Sequence, residues 1–156
     1  MSGESTATLD ALDWAILEEL QRDARSSYAE LARRVALSPS AVTDRVRRLE
    51  ALGVITGYHA AINPVRVGLT IQAIVRLKYP GTAHQPLHQL IAQRPEILQC
   101  HRVTGDECYV IRIATRDVAH LEQVVDELAR LGSLTTNVVY STLLPRRAVT
   151  RTSAGG

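Results

Sequence analysis

The sequence predicts an α+β protein that joins an N-terminal winged helix-turn-helix to a C-terminal ferredoxin-like βαββαβ domain. Three amphipathic helical patterns fill residues 9–52, and a strand, helix, strand, strand, helix, strand pattern follows from residue 69. Between them, "NPVRVG" interrupts the periodicity with a proline and a glycine. We therefore assign residues 1–63 to the first domain, 64–68 to a linker, 69–145 to the second domain and 146–156 to a disordered basic tail.

The first two helices are predicted from their apolar spacing and their capping signals. Residues 9–22 carry apolar side chains at helical spacing: Leu9, Leu12, Ile16 and Leu20. Acidic residues fall in the first turn of this helix, where they favour the positive end of the helix dipole. In residues 27–36, Ser27 and Glu30 have the spacing of a capping box, which predicts that the second helix begins there.

The third helix has the clearest signals for both of its ends. Ser38 suits the N-cap, and Pro39 suits the first helical position because its missing N–H would be unpaired there in any residue. An apolar stripe follows at i, i+4 and i+7: Val42, Val46 and Leu49. Gly53 is a natural stop, and the β-prone "VITGYHAAIN" after it predicts a wing with a hairpin turn at Gly57.

The second domain alternates between strand and helix patterns. Strands are predicted at 69–79, 97–103, 108–115 and 134–144, and helices at 85–94 and 117–131. A tight turn, "TGDE" at 104–107, joins the second and third strands. This order predicts a four-stranded antiparallel sheet with both helices on one face.

Composition excludes some classes of protein. No run of 18 apolar residues occurs, so a membrane-spanning helix is not expected. The first ten residues lack the basic and apolar regions of a secretion signal, and we expect a cytoplasmic protein. Cys100 and Cys108 lie in apolar stretches and are interpreted as reduced structural thiols, with a redox switch as the alternative. No Cys/His spacing indicates a metal site, and we expect no cofactor.

Charge is concentrated rather than spread along the chain. Residues 1–63 hold seven Arg against nine Asp and Glu, a net charge of −2. Within them, residues 33–48 hold five Arg against Asp44 alone, a local excess of +4. A basic patch inside an acidic segment is typical of a surface that binds a polyanion.

Three short helices with a basic third helix indicate double-stranded DNA as the partner, since the major groove admits one α-helix. The predicted base-reading residues are Ser40, Thr43, Asp44 and Arg47, with Ser38 at the start of the same helix. Residues predicted to contact the phosphate backbone are Arg33, Arg34, Arg45 and Arg48. The alternative interpretation of this surface is an ordinary solvated helix face.

The residues 9–68, "LDALDWAILEELQRDARSSYAELARRVALSPSAVTDRVRRLEALGVITGYHAAINPVRVG", resemble the DNA-binding half of the Lrp/AsnC family, the feast/famine regulators. The resemblance lies in the opening Leu-Asp-x-x-Asp, the Asp-x-Arg after the first helix, the Glu-Leu-Ala of the second helix and "RVRRLEALGVITGY". It continues in "VTGDECYVI" and covers roughly residues 8–145.

The resemblance implies dimers that pair through their sheets and often close into octamers. It also implies an amino acid or related metabolite bound between dimers, near the turn between the second and third strands. The implied effector-binding residues are Val103, Thr104, Gly105, Asp106, Glu107, Cys108, Leu134 and Thr136. Exposed N–H groups at Gly105 suit a ligand carboxylate, and a nearby carboxylate suits its ammonium.

Two positions depart from the family's pattern. Many members carry an acidic residue where Cys108 stands, and a Thr-x-Thr where Leu134 and Thr136 stand. Both departures remove polar groups from the expected pocket. Either Asp106 or Glu107 takes over and the ligand is unusual, or the site is weak or unused and these carboxylates are solvated.

The predicted function is a sequence-specific transcriptional regulator that binds a pseudo-palindromic promoter site, modulated by an amino acid or small metabolite. We do not expect an enzyme, because the five histidines are scattered and no catalytic spacing stands out. Two alternatives remain: an enzyme that resembles siroheme decarboxylases, which share this two-domain fold, and a nucleoid-like DNA-binding protein of low specificity.

Overall fold

The computed structural model describes residues 7–154 and divides the chain into two compact units. The first unit extends to Ala61 and includes the chain from Leu144 onwards, and the second is Ile62–Leu143. Residues 1–6 of the predicted first domain and residues 155–156 of the predicted tail lie outside the described residues. Within the described part, no helix is long and apolar enough to cross a membrane.

The first unit packs three helices, α1 (Ala11–Arg22), α2 (Tyr28–Arg34) and α3 (Pro39–Ala51). Asp10 and Asp13 form a capping box at the start of α1, and the predicted Ser27–Glu30 box opens α2. The apolar stripes of the three helices meet in one core: Ile16, Leu20, Leu31, Ala32, Val35, Val42, Val46 and Leu49. The α3 stripe predicted from the sequence is fully buried there.

Both ends of α3 follow their predicted capping signals. Ser38 accepts a hydrogen bond from the Ala41 N–H at 3.2 Å, as an N-cap should. At the other end Gly53 adopts φ 68°, and its N–H donates to the Glu50 carbonyl at 2.9 Å. The next N–H, of Val54, donates to the Leu49 carbonyl at 2.9 Å. These two bonds close the helix with a Schellman motif.

The hairpin turn expected at Gly57 does not form in the described chain, because residues 54–63 contain no strand. The N–H groups of Val54 and Ile55 are both directed to the Leu49 carbonyl, at 2.9 and 3.1 Å, and not to a neighbouring strand. Farther along, the Tyr58 hydroxyl donates to Glu50 at 2.8 Å. This β-prone segment is therefore tied to the end of α3 as an irregular chain.

The second unit has the predicted βαββαβ order. Its elements are β1 (Ile71–Lys78), α4 (Gln85–Gln93), β2 (Ile97–Arg102), β3 (Tyr109–Thr115), α5 (Val118–Ala129) and β4 (Ser133–Val138). The sheet order is β2-β3-β1-β4 with every pair antiparallel, which is the ferredoxin-like arrangement. A 3-10 turn, Pro64–Val67, precedes it and ends at Gly68 with φ 87°.

Both helices cover the same face of this sheet. The core contains alternate residues of the two central strands together with one stripe from each helix: Ala73, Val75, Leu77, Leu87, Tyr109, Ile111, Ile113, Leu121, Val124 and Leu128. The intervening residues of β1, such as Ile74 and Arg76, lie exposed on the opposite face. We call this opposite surface the helix-free face.

Strand β4 ends earlier than the prediction of 134–144. The last bond of its ladder runs from the Val139 N–H to the Gln72 carbonyl at 2.8 Å. The ladder between β4 and β1 ends there, since the described chain beyond Val139 adds no further bond to it. Tyr140 and Leu143 are consequently exposed.

The C-terminal segment, predicted to be disordered from residue 146, is described as far as Ala154. It is irregular apart from one 3-10 turn, Thr152–Ala154. The main chain of Val149 is hydrogen-bonded to the side chain of Gln21 on α1.

Candidate nucleic-acid interface and effector turn

The face of α3 opposite its buried stripe presents the predicted base-reading side chains. Ser40, Asp44 and Arg47 are exposed, and Thr43 is half-buried. The Thr43 hydroxyl donates to the Pro39 carbonyl at 2.8 Å, and the hydroxyls of Ser38 and Ser40 lie 3.1 Å apart. Arg47 has no carboxylate within ion-pair distance among the described residues.

Arg45 and Arg48, predicted to contact phosphates, form hydrogen-bonded ion pairs with Asp13 of α1. Arg45 Nη1 donates to Asp13 Oδ1 at 2.8 Å and to Asp10 Oδ2 at 2.7 Å, and Arg48 Nη2 donates to Asp13 Oδ2 at 2.5 Å. Asp13 is 0% exposed, so the two arginines satisfy a carboxylate that is buried between the helices. The Arg48 side chain nevertheless stays 46% exposed, which leaves N–H groups facing solvent.

This cluster also sets the ionisation of Asp13. Burial alone opposes the charged form, but the hydrogen bond from the Asp10 backbone and those from Arg48 and Arg45 outweigh it. Together they hold the pKa of Asp13 below its ordinary value. The carboxylate is therefore charged at neutral pH and orients α3 on α1.

Sequence reasoning missed this role of Asp13, although a signal for it was present. Asp10 and Asp13 are three residues apart, as are Arg45 and Arg48, so each pair lies on one side of its helix. Two such pairs of opposite sign on helices that share a core indicate a bridge between them.

The two arginines that end α2 differ from each other. Arg34 Nη1 donates to Glu19 Oε2 at 3.1 Å and to Ser26 Oγ at 3.3 Å. Arg33 is exposed, and within residues 7–154 no carboxylate pairs with it. Of the five arginines in the basic patch, Arg33 and Arg47 are thus the two without an ion pair in the described chain.

The turn between β2 and β3 carries the predicted effector residues. The Val103 N–H donates to the Cys108 carbonyl at 2.8 Å and closes the turn, and Gly105 adopts φ 105°. This positive φ is a conformation that glycine adopts without strain. Within the turn, Thr104 and Asp106 are exposed and Glu107 is half-buried.

Basic residues of β1 pair with both carboxylates of this turn. Lys78 Nζ lies 3.6 Å from Asp106 Oδ2, and Arg76 Nε lies 3.3 Å from Glu107 Oε2. The Thr135 hydroxyl of β4 also donates to Glu107 Oε1, at 3.3 Å. Glu107, Arg76 and Thr135 therefore form one polar cluster at the edge of the helix-free face.

Leu134 and Thr136 are not part of that cluster. They pair across β1 with Leu77 and Val75, which face the helices, so their side chains lie on the covered face of the sheet. The Thr136 hydroxyl is buried without a hydrogen-bond partner among the described residues. The structure instead brings Thr135 to Glu107, and Thr135 is not among the residues that the family resemblance implies.

The two cysteines are free thiols and both are partly buried. Burial raises the pKa of Cys100 above its ordinary value, which disfavours the reactive thiolate. Cys108 Sγ lies 3.9 Å from the carbonyls of both Leu77 and Tyr79. Within residues 7–154, no three His, Cys, Asp or Glu side chains are grouped to hold a metal ion.

Two protein families match this chain, one for each unit. The family described as winged helix-turn-helix DNA-binding matches residues 9–56. The family described as Lrp/AsnC ligand binding domain matches residues 72–149. Together the two matches include α3 and the turn described above.

Individual relatives match over most of their lengths. The HTH-type transcriptional regulator LrpC of Bacillus subtilis is 32% identical over 85% of this chain and 92% of its own, and its solved structure has a TM-score of 0.85. The proline dehydrogenase transcriptional activator of Rhodobacter capsulatus is 33% identical over 92% of this chain and 94% of its own. A transcriptional regulator of Neisseria meningitidis, solved as a complex with L-Met, is 28% identical with a TM-score of 0.85, over 91% of this chain and 96% of its own.

Proposed function

The chain belongs to the Lrp/AsnC family of transcriptional regulators. We propose that separate surfaces of the protein bind DNA, form the oligomer and bind the effector. The outward face of α3 reads the bases of a pseudo-palindromic promoter site, a homo-oligomer supplies two such helices, and an amino acid bound at the turn of residues 104–107 modulates binding. We also propose that the protein acts in the cytoplasm, where the DNA of the bacteria that contain these relatives lies.

The observation that carries the DNA-reading proposal is the exposed face of α3, held in place by Asp13. Ser40, Asp44 and Arg47 extend from a helix whose opposite side is fully buried. Arg47 has a guanidinium that suits the paired acceptors of guanine, and Arg33 supplies a phosphate contact beside it. Arg34, Arg45 and Arg48 support the helices first and contact phosphate only with their remaining N–H groups.

Assembly is proposed to proceed through the helix-free face. This surface of the sheet exposes Ile74, which is 40% accessible, and half-buries Val110 and Arg112 without any helix over them. Two copies paired through this face would present two α3 helices to half-sites about one DNA turn apart. Four such dimers would then close into an octamer.

The effector is proposed to be an amino acid, since the Neisseria meningitidis relative is a complex with L-Met. The N–H groups around Gly105 would receive its carboxylate, and Glu107 would receive its ammonium. Glu107 is already paired with Arg76 and Thr135, so the ligand must compete with those contacts. An effector changes DNA binding only through different affinities for two assembly states.

Site selection from random DNA tests this function. The selected sequence should be pseudo-palindromic, and its affinity should exceed that of a scrambled duplex by at least about a thousandfold at fixed salt. Equal affinities would instead indicate a low-specificity DNA-binding protein. A thermal-shift screen of the amino acids, with the mass of each hit measured by light scattering, tests the effector and the assembly together.

A further inference from the structure

The side chain of Gln21 holds the main chain of a residue 128 positions away. Gln21 Nε2 donates to the Val149 carbonyl at 2.9 Å, and Gln21 Oε1 accepts from the Val149 N–H at 2.8 Å. Both residues belong to the first unit. The amide of one side chain thus satisfies both main-chain groups of one residue, as a neighbouring strand does in a sheet.

A groove adjoins this contact. It has a volume of about 680 Å³ and is lined by Trp14 and Leu17 of α1, by the irregular segment 54–61 and by Arg146 and Val149 of the C-terminal segment. The Val149 side chain is 58% exposed, so the segment is held mainly through its backbone. The chain's own C-terminal segment therefore forms part of the wall of this groove.

The segment is folded locally beyond the contact. The Thr150 N–H donates to Ser153 Oγ at 2.8 Å, and that hydroxyl donates to the Thr150 carbonyl at 2.8 Å. A 3-10 turn, Thr152–Ala154, follows. A clamp at Val149 therefore fixes the position of a short ordered stretch and not of one residue alone.

The segment changes the charge of the unit that it joins. Residues 1–63 carry a net charge of −2, which is unfavourable for approach to a polyanion. The segment adds Arg146, Arg147 and Arg151 and no acidic residue, which brings the total to +1. Among residues 7–154, no carboxylate forms an ion pair with any of the three.

We propose that residues 144–154 form a basic arm that Gln21 fastens to the DNA-binding unit and that contacts the DNA phosphate backbone in addition to α3. The arm supplies affinity that does not depend on sequence, because arginines on phosphates carry no base information. This inference rests on the proposed DNA-binding function, but each is tested by a separate measurement.

Docking of the arm is tested through Trp14, the single tryptophan of the chain, which lines the same groove. Val149→Pro removes the N–H group that donates a hydrogen bond to Gln21 Oε1. Val149→Ala keeps that N–H group and is the matched control. We expect Val149→Pro and Gln21→Leu to shift Trp14 emission and increase its quenching by acrylamide. We expect Val149→Ala to match the wild type, and unchanged emission in Val149→Pro would overturn the docking.

Binding of the arm to DNA is tested by the salt dependence of affinity for random-sequence duplex. Replacing Arg146, Arg147 and Arg151 with Gln should reduce the slope of log K against log salt by about 0.9 for each phosphate that the arm no longer neutralises. Val149→Pro should reduce it in the same direction, and Val149→Ala should not. An unchanged slope in the triple Gln variant contradicts the arm.

The two proposals fail in different measurements. If the arm does not contact DNA, the triple Gln variant keeps the wild-type slope of log K against log salt on random DNA. Its preference for the selected site over scrambled DNA also remains. If the proposed regulator function is wrong, that preference is absent in the wild type, and the slope on random DNA still reports on the arm.

Discussion

Asp13 of α1 links that helix to α3, whose exposed face is proposed to read DNA. Its carboxylate is buried, and it receives hydrogen bonds from Arg45 and Arg48 of α3. A buried carboxylate is costly unless it is paired, so the three residues depend on one another. Part of the basic patch read from the sequence is therefore structural, and only the part without ion pairs is fully available to DNA.

We predict that Asp13→Asn destabilises the first unit by about 2 kcal/mol, less than a fully buried pair because both arginines are partly exposed. Chemical denaturation followed by Trp14 fluorescence measures this change. Glu18→Gln is the control, since Glu18 lies on the same helix and forms no ion pair with any described residue. Equal stability of Asp13→Asn and the control would contradict the proposed link.

The same residue predicts a pH dependence. The pKa of Asp13 is lowered in the folded state, so its contribution to stability is complete above the unfolded pKa of about 3.9. That contribution is lost as the pH falls through the lower, folded value. Denaturation midpoints of the wild type and Asp13→Asn should therefore differ at pH 7 and begin to converge only below about pH 4. A constant difference down to pH 2 would be inconsistent with this origin.

Among the helices, capping residues in the sequence predict both ends of α3 but not the end of α2. Ser38, Pro39 and Gly53 predict the bounds of α3, because caps act through bonds to the nearest residues. The helical pattern of residues 27–36 extends past the end of α2, because the helix stops at Arg34 and Ala36 adopts φ 54°. A left-handed alanine gives no sequence signal, since glycine is the residue expected there.

This difference predicts two opposite stability changes. Gly53→Ala should cost about 1 kcal/mol, because φ 68° disfavours a side chain even though no atom lies within 4 Å of the new Cβ. Ala36→Gly should stabilise by a fraction of 1 kcal/mol, because it relieves the same strain. Thermal melting of both variants measures the pair, and a loss of stability in both would refute the strain argument.

The register of the strands determines which side chains reach the turn of residues 104–107, and the sequence alone does not give that register. The alternation of β1 predicts that Arg76 and Lys78 face away from the core, but their pairing with Glu107 and Asp106 depends on the sheet order. In β4, a shift of one residue moves a side chain to the other face, so Thr135 replaces its neighbours at Glu107. The hairpin turn expected at Gly57 does not form within the described residues 54–63 for a related reason, since β-propensity alone supplies no partner strand.

Thr135 and Thr136 form a matched pair for testing the effector site. Thr135→Val removes a hydrogen bond to Glu107, and we expect it to weaken binding of the amino acid found by the thermal-shift screen about tenfold. Thr136→Val removes a buried hydroxyl without a partner among the described residues, so binding should be unchanged. Isothermal titration measures both, and the reverse pattern would place the ligand on the covered face.

At the scale of the whole molecule, the sequence predicts two units, their element order and the family. These properties follow from periodicity and from motifs that extend over nearly all of the chain. The proposed assembly uses the helix-free face, on which Ile74 is an exposed apolar residue. Ile74→Glu should reduce the mass measured by light scattering, whereas Leu98→Glu, an exposed apolar residue on edge strand β2, serves as the control. A mass equal to the wild type in Ile74→Glu would exclude this face as the interface.

Arg47→Ala is the sharpest test of the proposal that the outward face of α3 reads DNA sequence. Anisotropy titrations at one salt concentration would compare the selected site with a scrambled duplex for the variant and the wild type. We predict that the variant loses about 1–3 kcal/mol of affinity for the selected site and little for scrambled DNA, with its oligomer mass unchanged. If Arg47→Ala kept the wild-type affinity and the wild-type preference for the selected site, α3 would not read DNA sequence through Arg47.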